Sequence, residues 1–254
     1  MRLEPTVYSP ARITRLVLLA LLAFGLTPKI SALLEGSFLY FPSHETAQSG
    51  LVPWIVDGQL IGYARTVASP HRVWLVCHGN AGQASQRGYI ADCLPATDSV
   101  YLLEYPGYGH RAGTPSMSSI NAAAVAAYAA LLREHPSGQI AVLSESLGSG
   151  PVAYLCSLAD PPGRAVLVVP FDNLLSVAKE HLPFLPVSLL MRDKWDNVAR
   201  LSHYTGRIDI FGATLDEVIP VAHARNLAHA LPAAHYHEIN CGHNDWSTLV
   251  RIEN

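Results

Sequence analysis

Apolar and polar positions fall into two kinds of block that alternate along the chain. Short, continuous apolar runs are "RVWLVCHGN" (72–80) and "SVYLLEYPGYG" (99–109), and "QIAVLS" (139–144), "RAVLVVP" (164–170), "GRIDIFGA" (206–213) and "AHYHEIN" (234–240) read as further strands. The leading ones stop at a Gly, Pro or Ser, and unbroken apolarity predicts strands buried on both faces, as in a parallel sheet. Between them lie helical stretches: the alanine-rich "SMSSINAAAVAAYAALLREH" (116–135) with serine caps, residues 147–159, and "VAHARNLAHAL" (221–231). "LVPWIV" and "LIGYARTVA" flank Asp57-Gly58, a hairpin signal. Strands alternating with helices predict an α/β domain with a mostly parallel central sheet and helices on both faces.

Residues 171–205 do not fit this alternation. They are too long for a simple strand-to-strand connection and predict a small helical insert, a modest cap over the catalytic face. Their centre, "LPFLPVSLLM" (182–191), fits either core packing or the lining of an apolar pocket.

The N-terminal segment, residues 1–37, stands apart from a single domain over residues 38–254. An apolar run from Leu16 to Leu26 is the length of a signal-peptide core. Continued through Leu34, with Lys29 snorkelling, it is just long enough to cross a bilayer. Ala23-Phe24-Gly25 is a poor cleavage site, so an uncleaved membrane anchor is the preferred reading over a cleaved signal or an amphipathic surface helix. Arg2, Arg12 and Arg15 precede the run, which places the domain on the non-cytoplasmic side.

Composition narrows the class. Half of the 254 residues are hydrophobic and 15% are charged, enough for a large core. A net charge of −3 without a basic block argues against a nucleic-acid partner. Cys77, Cys93, Cys156 and Cys241 form no CxxC and match no zinc spacing, so neither a metal site nor a disulfide framework is expected, though a single pair stays open.

Candidate chemistry gathers at the carboxyl ends of the predicted strands, where α/β sheets place their sites. Ser146 follows "AVL", Asp216 follows "IDIFGA", His243 follows "HYHEINCG", and "HGNAG" (78–82) follows "VWLVC". A serine at a strand–helix junction can be a plain helix cap. A cap needs no partners, whereas the order Ser, Asp, His is that of a nucleophile, its orienting acid and its base. Ser146 is then the nucleophile, His243 the base and Asp216 the residue that fixes the tautomer of His243. Oxyanion donors are expected from the backbone of Leu147 and of Asn80, with Ala81 the alternative to Asn80. Tyr108 is a candidate substrate-binding residue, and His78 is read as a structural hydrogen-bonder beside the oxyanion loop.

With these residues in place, the chain resembles the α/β-hydrolase family over roughly residues 38–250. Within it, the chain is similar to small, N-terminally anchored serine hydrolases carrying "HGNAG", "EYPGYG", "SLG", "GATLDEVIP" and "CGHND". The resemblance implies the α/β-hydrolase fold, a cofactor-free triad working through an acyl-enzyme, and an ester or thioester substrate of small-molecule or lipid-like kind. Some eukaryotic members of that group remove fatty acyl groups from proteins. One departure stands out: the family elbow G-x-S-x-G has Ser144 in place of its first glycine, while Gly148 is kept. Two other functions remain open, a peptidase or amidase using the same residues and an idle hydrolase fold serving as an interaction module. Dehalogenase chemistry needs an acidic nucleophile, which Ser146 is not.

Overall fold

The computed structural model describes residues 39–45 and 50–253. The expected anchor therefore lies outside the described residues. Among those described, no helix is long and apolar enough to cross a membrane.

The strands are β1 (Phe41–Pro42), β2 (Val52–Val56), β3 (Gln59–Arg65), β4 (Val73–Cys77), β5 (Ala81–Gly82), β6 (Ser99–Leu103), β7 (Ile140–Glu145), β8 (Arg164–Val168), β9 (Arg207–Ala213) and β10 (His235–Ile239). The main sheet has the order β10-β9-β8-β7-β4-β6-β3-β2. From β6 to β10 all neighbours are parallel, and β3 and β2 add an antiparallel hairpin at one edge. Asp57 (φ 50°) and Gly58 (φ 76°) make the hairpin turn, since two left-handed residues match the twist of the flanking strands.

The central strands β4, β7 and β8 are buried along their whole length. Alternation along β4 divides the core in two. Val73, Leu75 and Cys77 face one side of the sheet, and Trp74 and Val76 face the other. The first side is covered by α2 (Met117–Leu132), α3 (Ser149–Cys156) and α7 (Val221–Ala230), through residues such as Ala124, Val152 and Leu227. The second is covered by α1 (Gly88–Asp92) and the C-terminal segment, through Ile90, Trp246 and Ile252. Ser116 caps α2 by accepting the Ser119 N–H at 3.1 Å.

Residues 171–205 hold three short helices, α4 (Leu174–His181), α5 (Val187–Leu190) and α6 (Asn197–Leu201). Asn173 and Asp196 cap the first and last, accepting from Leu175 and Ala199. Asp193, between α5 and α6, accepts hydrogen bonds from the Tyr40 hydroxyl and the Met117 N–H, joining the insert to α2 and to the chain beside β1. Asn244 and Asp245 precede one 3₁₀ turn, Trp246–Thr248, which takes no side-chain cap.

Candidate active site

β7 ends at Glu145, and the chain turns at once into the 3₁₀ turn Ser146–Gly148 that leads α3. Ser146 sits at φ +53°, a left-handed conformation that L-residues rarely adopt and that costs on the order of 1–3 kcal/mol. The turn closes because position 148 has no side chain: a Cβ there would lie well inside contact with the Cys77 carbonyl oxygen. Ser144, at the other flank, fits without a positive φ, but its hydroxyl is buried with no hydrogen-bond partner. The departure from the family elbow thus leaves an unsatisfied polar group and no backbone distortion.

Ser146, Asp216 and His243, widely separated in sequence, meet at the carboxyl ends of the strands. Ser146 Oγ is 2.9 Å from His243 Nε2, and His243 Nδ1 is 2.6 Å from Asp216 Oδ2. The other carboxylate oxygen of Asp216 accepts the N–H groups of Val218 (2.8 Å) and Ile219 (2.7 Å). An ionised carboxylate only accepts, so His243 carries its proton on Nδ1 and turns the Nε2 lone pair to the serine hydroxyl.

Each polar group flanking the Asn80 N–H is already engaged. Gly79 N–H donates to Glu145 (3.2 Å), and the Gly79 carbonyl is 2.7 Å from His78 Nδ1. The Asn80 side chain donates to the Leu39 carbonyl (2.9 Å). Its own carbonyl accepts from Tyr108 Oη (2.6 Å) and Phe41 N–H (2.9 Å). In a planar trans peptide, a carbonyl held towards His78 aims the Asn80 N–H the opposite way. Asn80 and Leu147 both border the cavity beside Ser146. β1 and β5 pair in parallel here, so the segment that follows Leu39 runs along the loop that carries Asn80.

That cavity is about 430 Å³. Its walls are Leu174 and Val177 of α4, Leu182 and Leu185 of the following turn, Val187 of α5, and Met191, closed by Phe171 and Ile219. The "LPFLPVSLLM" segment divides its roles: much of it lines the cavity, while Phe184 (98% exposed) and Leu189 (76%) face outward.

Tyr108 is not on this wall. It is fully buried behind the loop that carries Asn80, and its hydroxyl is used up on the Asn80 carbonyl. The substrate contact expected of it is thus replaced by a structural one, because the "EYPGYG" loop folds inward against His78 and Tyr105. His78 is buried as well, stacked on Tyr105. All four cysteines are buried and free, and burial pushes the Cys77 thiol up to about 12. Among the described residues no group of three or more His, Cys, Asp or Glu side chains could hold a metal ion.

No protein-family model matches the chain. It is 31% identical over 229 residues to the uncharacterized protein Rv2307c of Mycobacterium tuberculosis, covering 82% of this chain and 79% of that protein. Over 137 residues it is 29% identical to the lysophosphatidylserine lipase ABHD12 of Mus musculus, covering 51% of this chain and 33% of that one. The crystal structure of an alpha-beta hydrolase from Vibrio vulnificus superposes with a TM-score of 0.62 at 15% identity, over 74% of this chain and 72% of the other. The chain has the α/β-hydrolase fold.

Within this fold, the sequence reading missed the residues that hold the site from behind. Glu145 and Trp246, both buried, and the partly buried Tyr89 and Arg87 form a polar cluster under the elbow. The available signal was a charged residue inside an otherwise apolar strand, which requires a partner. It also missed the cluster that ties the insert to α7. There His223 Nδ1 is 2.6 Å from Asp172 Oδ1, and its Nε2 is 3.4 Å from Glu180 Oε1. No local pattern links residues this far apart.

Proposed function

We propose that the protein is a serine hydrolase that cleaves carboxylic esters or thioesters through an acyl-enzyme. The observation that carries this reading is the hydrogen-bonded series Ser146–His243–Asp216 at the mouth of an apolar cavity. His243 takes the proton of Ser146 Oγ as that oxygen attacks the acyl carbonyl. Asp216 holds the imidazole in the required tautomer and stabilises its cation. The carbonyl oxygen becomes an oxyanion and receives the N–H groups of Leu147 and Asn80, each worth on the order of 10²–10³ in rate. His243 then protonates the leaving alcohol or thiol, and a water activated by the same base releases the acid.

Fold alone does not set the substrate, since one fold hosts many chemistries. The cavity supports an acyl chain: its wall is aliphatic and its volume lies within the range of about 300–1,000 Å³ usual for small-ligand clefts. The similarity to a lipase over half of the chain supports a lipid-like ester in the same direction. Residues 1–37 are read as a membrane anchor that keeps the site near such substrates. Extraction of the full chain by salt alone would contradict that anchor, because salt releases charge-bound proteins and leaves buried helices in place.

The test is turnover of a panel of aryl esters, thioesters and matched amides, with fluorophosphonate labelling of the same preparation. Ester and thioester turnover with labelling is expected. Preference for amides would make it an amidase, and absence of both labelling and turnover would leave an idle fold.

A further inference from the structure

Glu145 directly precedes Ser146, and it is 6% exposed. A carboxylate at that depth needs several partners, and here they come from separate segments of the chain. Oε2 accepts the Gly79 N–H at 3.2 Å, one residue before Asn80. Oε1 accepts Trp246 Nε1 at 3.0 Å, three residues after His243, and the Tyr89 hydroxyl at 2.5 Å. Arg87 Nε lies 3.5 Å from Oε2. Burial alone would push this carboxyl up, but Arg87, Tyr89, Trp246 and the Gly79 N–H outweigh it and hold it below the usual range, so it is an anion at neutral pH.

The position of the Asn80 N–H depends on the backbone at Gly79, the residue type with the widest conformational range. Two hydrogen bonds restrain that glycine, one from each side: its carbonyl is held by His78 and its N–H by Glu145. The same carboxylate grips the segment that carries His243. We propose that Glu145 is a positioning residue that locks the oxyanion loop, the nucleophile and the base-bearing loop into one unit, so that its charge, its three hydrogen-bond donors and its ion pair with Arg87 set the rate of the acyl-transfer step. The proposal rests on the serine-hydrolase reading above.

Glu145→Gln keeps the shape but replaces one acceptor oxygen with an NH₂ that faces other donors, so at least one of the contacts must break. The full chain is assayed on p-nitrophenyl butyrate, with rates expressed per site titrated by a fluorophosphonate to remove any loss of folded protein. Inhibition by a trifluoromethyl ketone, which forms a tetrahedral oxyanion on the serine, is measured alongside. The expected result is a kcat lower by roughly 10- to 100-fold with KM nearly unchanged, and a parallel loss of ketone affinity, as for weakening of one oxyanion donor. A purely structural role would lower the unfolding temperature and the titrated fraction but leave kcat per site and ketone affinity at wild-type values, which overturns the proposal. If the Gln variant does not fold, Tyr89→Phe decides, since it removes one donor to Glu145 and keeps the ring: a several-fold loss in both readouts supports the proposal, and wild-type values overturn it. Failure of the wild-type chain to label or turn over would instead remove the serine-hydrolase reading and Glu145's role together.

Discussion

Asp216 Oδ2 lies 2.6 Å from His243 Nδ1, while its second oxygen is fixed by two backbone N–H groups. The carboxylate therefore cannot rotate away, and the imidazole has one orientation. Asp216→Asn keeps the shape but presents an NH₂ or an oxygen without charge to Nδ1. The expected outcome is a folded protein whose kcat falls by on the order of 10⁴, as for loss of the tautomer-fixing acid. Circular dichroism and steady-state kinetics on the same sample check it. A loss below tenfold would show that another acid orients His243.

The cavity walls predict a chain-length dependence. Each methylene buried against Leu174, Val177 or Val187 adds about 0.8 kcal/mol. Across p-nitrophenyl esters from acetyl upward, kcat/KM is expected to rise a few-fold per carbon and then level where the chain reaches the end of the cavity. A flat series, or one falling from acetyl onward, would remove the acyl role of the cavity and leave the hydrolytic residues untouched.

Ser144 and Gly148 flank Ser146 with opposite tolerances. The Ser144 hydroxyl is buried without a partner, so Ser144→Ala is expected to stabilise the fold by about 1 kcal/mol in urea unfolding. Gly148→Ala drives a Cβ into the Cys77 carbonyl and is expected to destabilise the fold and abolish turnover. A neutral Gly148→Ala would mean that the elbow backbone can shift.

The insert is tied to α7 by a cluster whose strength depends on pH. The His223 pKa is raised by its hydrogen bond to Asp172, against burial, with added attraction from Asp172 and Glu180. A raised folded pKa means that the contribution is fully present below the ordinary imidazole range and is lost as pH rises through the folded value. Burial pushes the Asp172 carboxyl up, but the hydrogen bonds from His223, Asn173 and Asn226 outweigh it and hold it low. Its share is present above the ordinary carboxylate range and is lost on acidification. Thermal unfolding of wild type and His223→Gln is expected to differ most at mildly acid pH and to converge at alkaline pH. A constant difference across the range would contradict the linkage.

Much of this was legible in the sequence for physical reasons. The continuous apolar runs became β4, β6, β7, β8 and β9 because strands buried on both faces leave no room for polar alternation. Ser146, Asp216 and His243 could be singled out as candidates because each follows the carboxyl end of a strand, where a parallel sheet exposes its loops. What was not legible depends on tertiary packing. Nothing in "EYPGYG" says that Tyr108 turns inward, and nothing in "SES" says that Glu145 will meet Gly79, Tyr89 and Trp246. The sequence also left "LPFLPVSLLM" open between core and pocket, because a helical insert this short presents both faces.

The central claim is that Ser146 Oγ, aimed at His243 Nε2 from 2.9 Å, is the nucleophile. The most direct measurement is fluorophosphonate labelling of wild type and Ser146→Ala, with the modified residue located by mass spectrometry. The account predicts one adduct, on Ser146, and no labelling or ester turnover in the alanine variant with its unfolding temperature preserved. An adduct on another residue, or labelling that survives in Ser146→Ala, would contradict it and make the unpartnered Ser144 hydroxyl the next candidate.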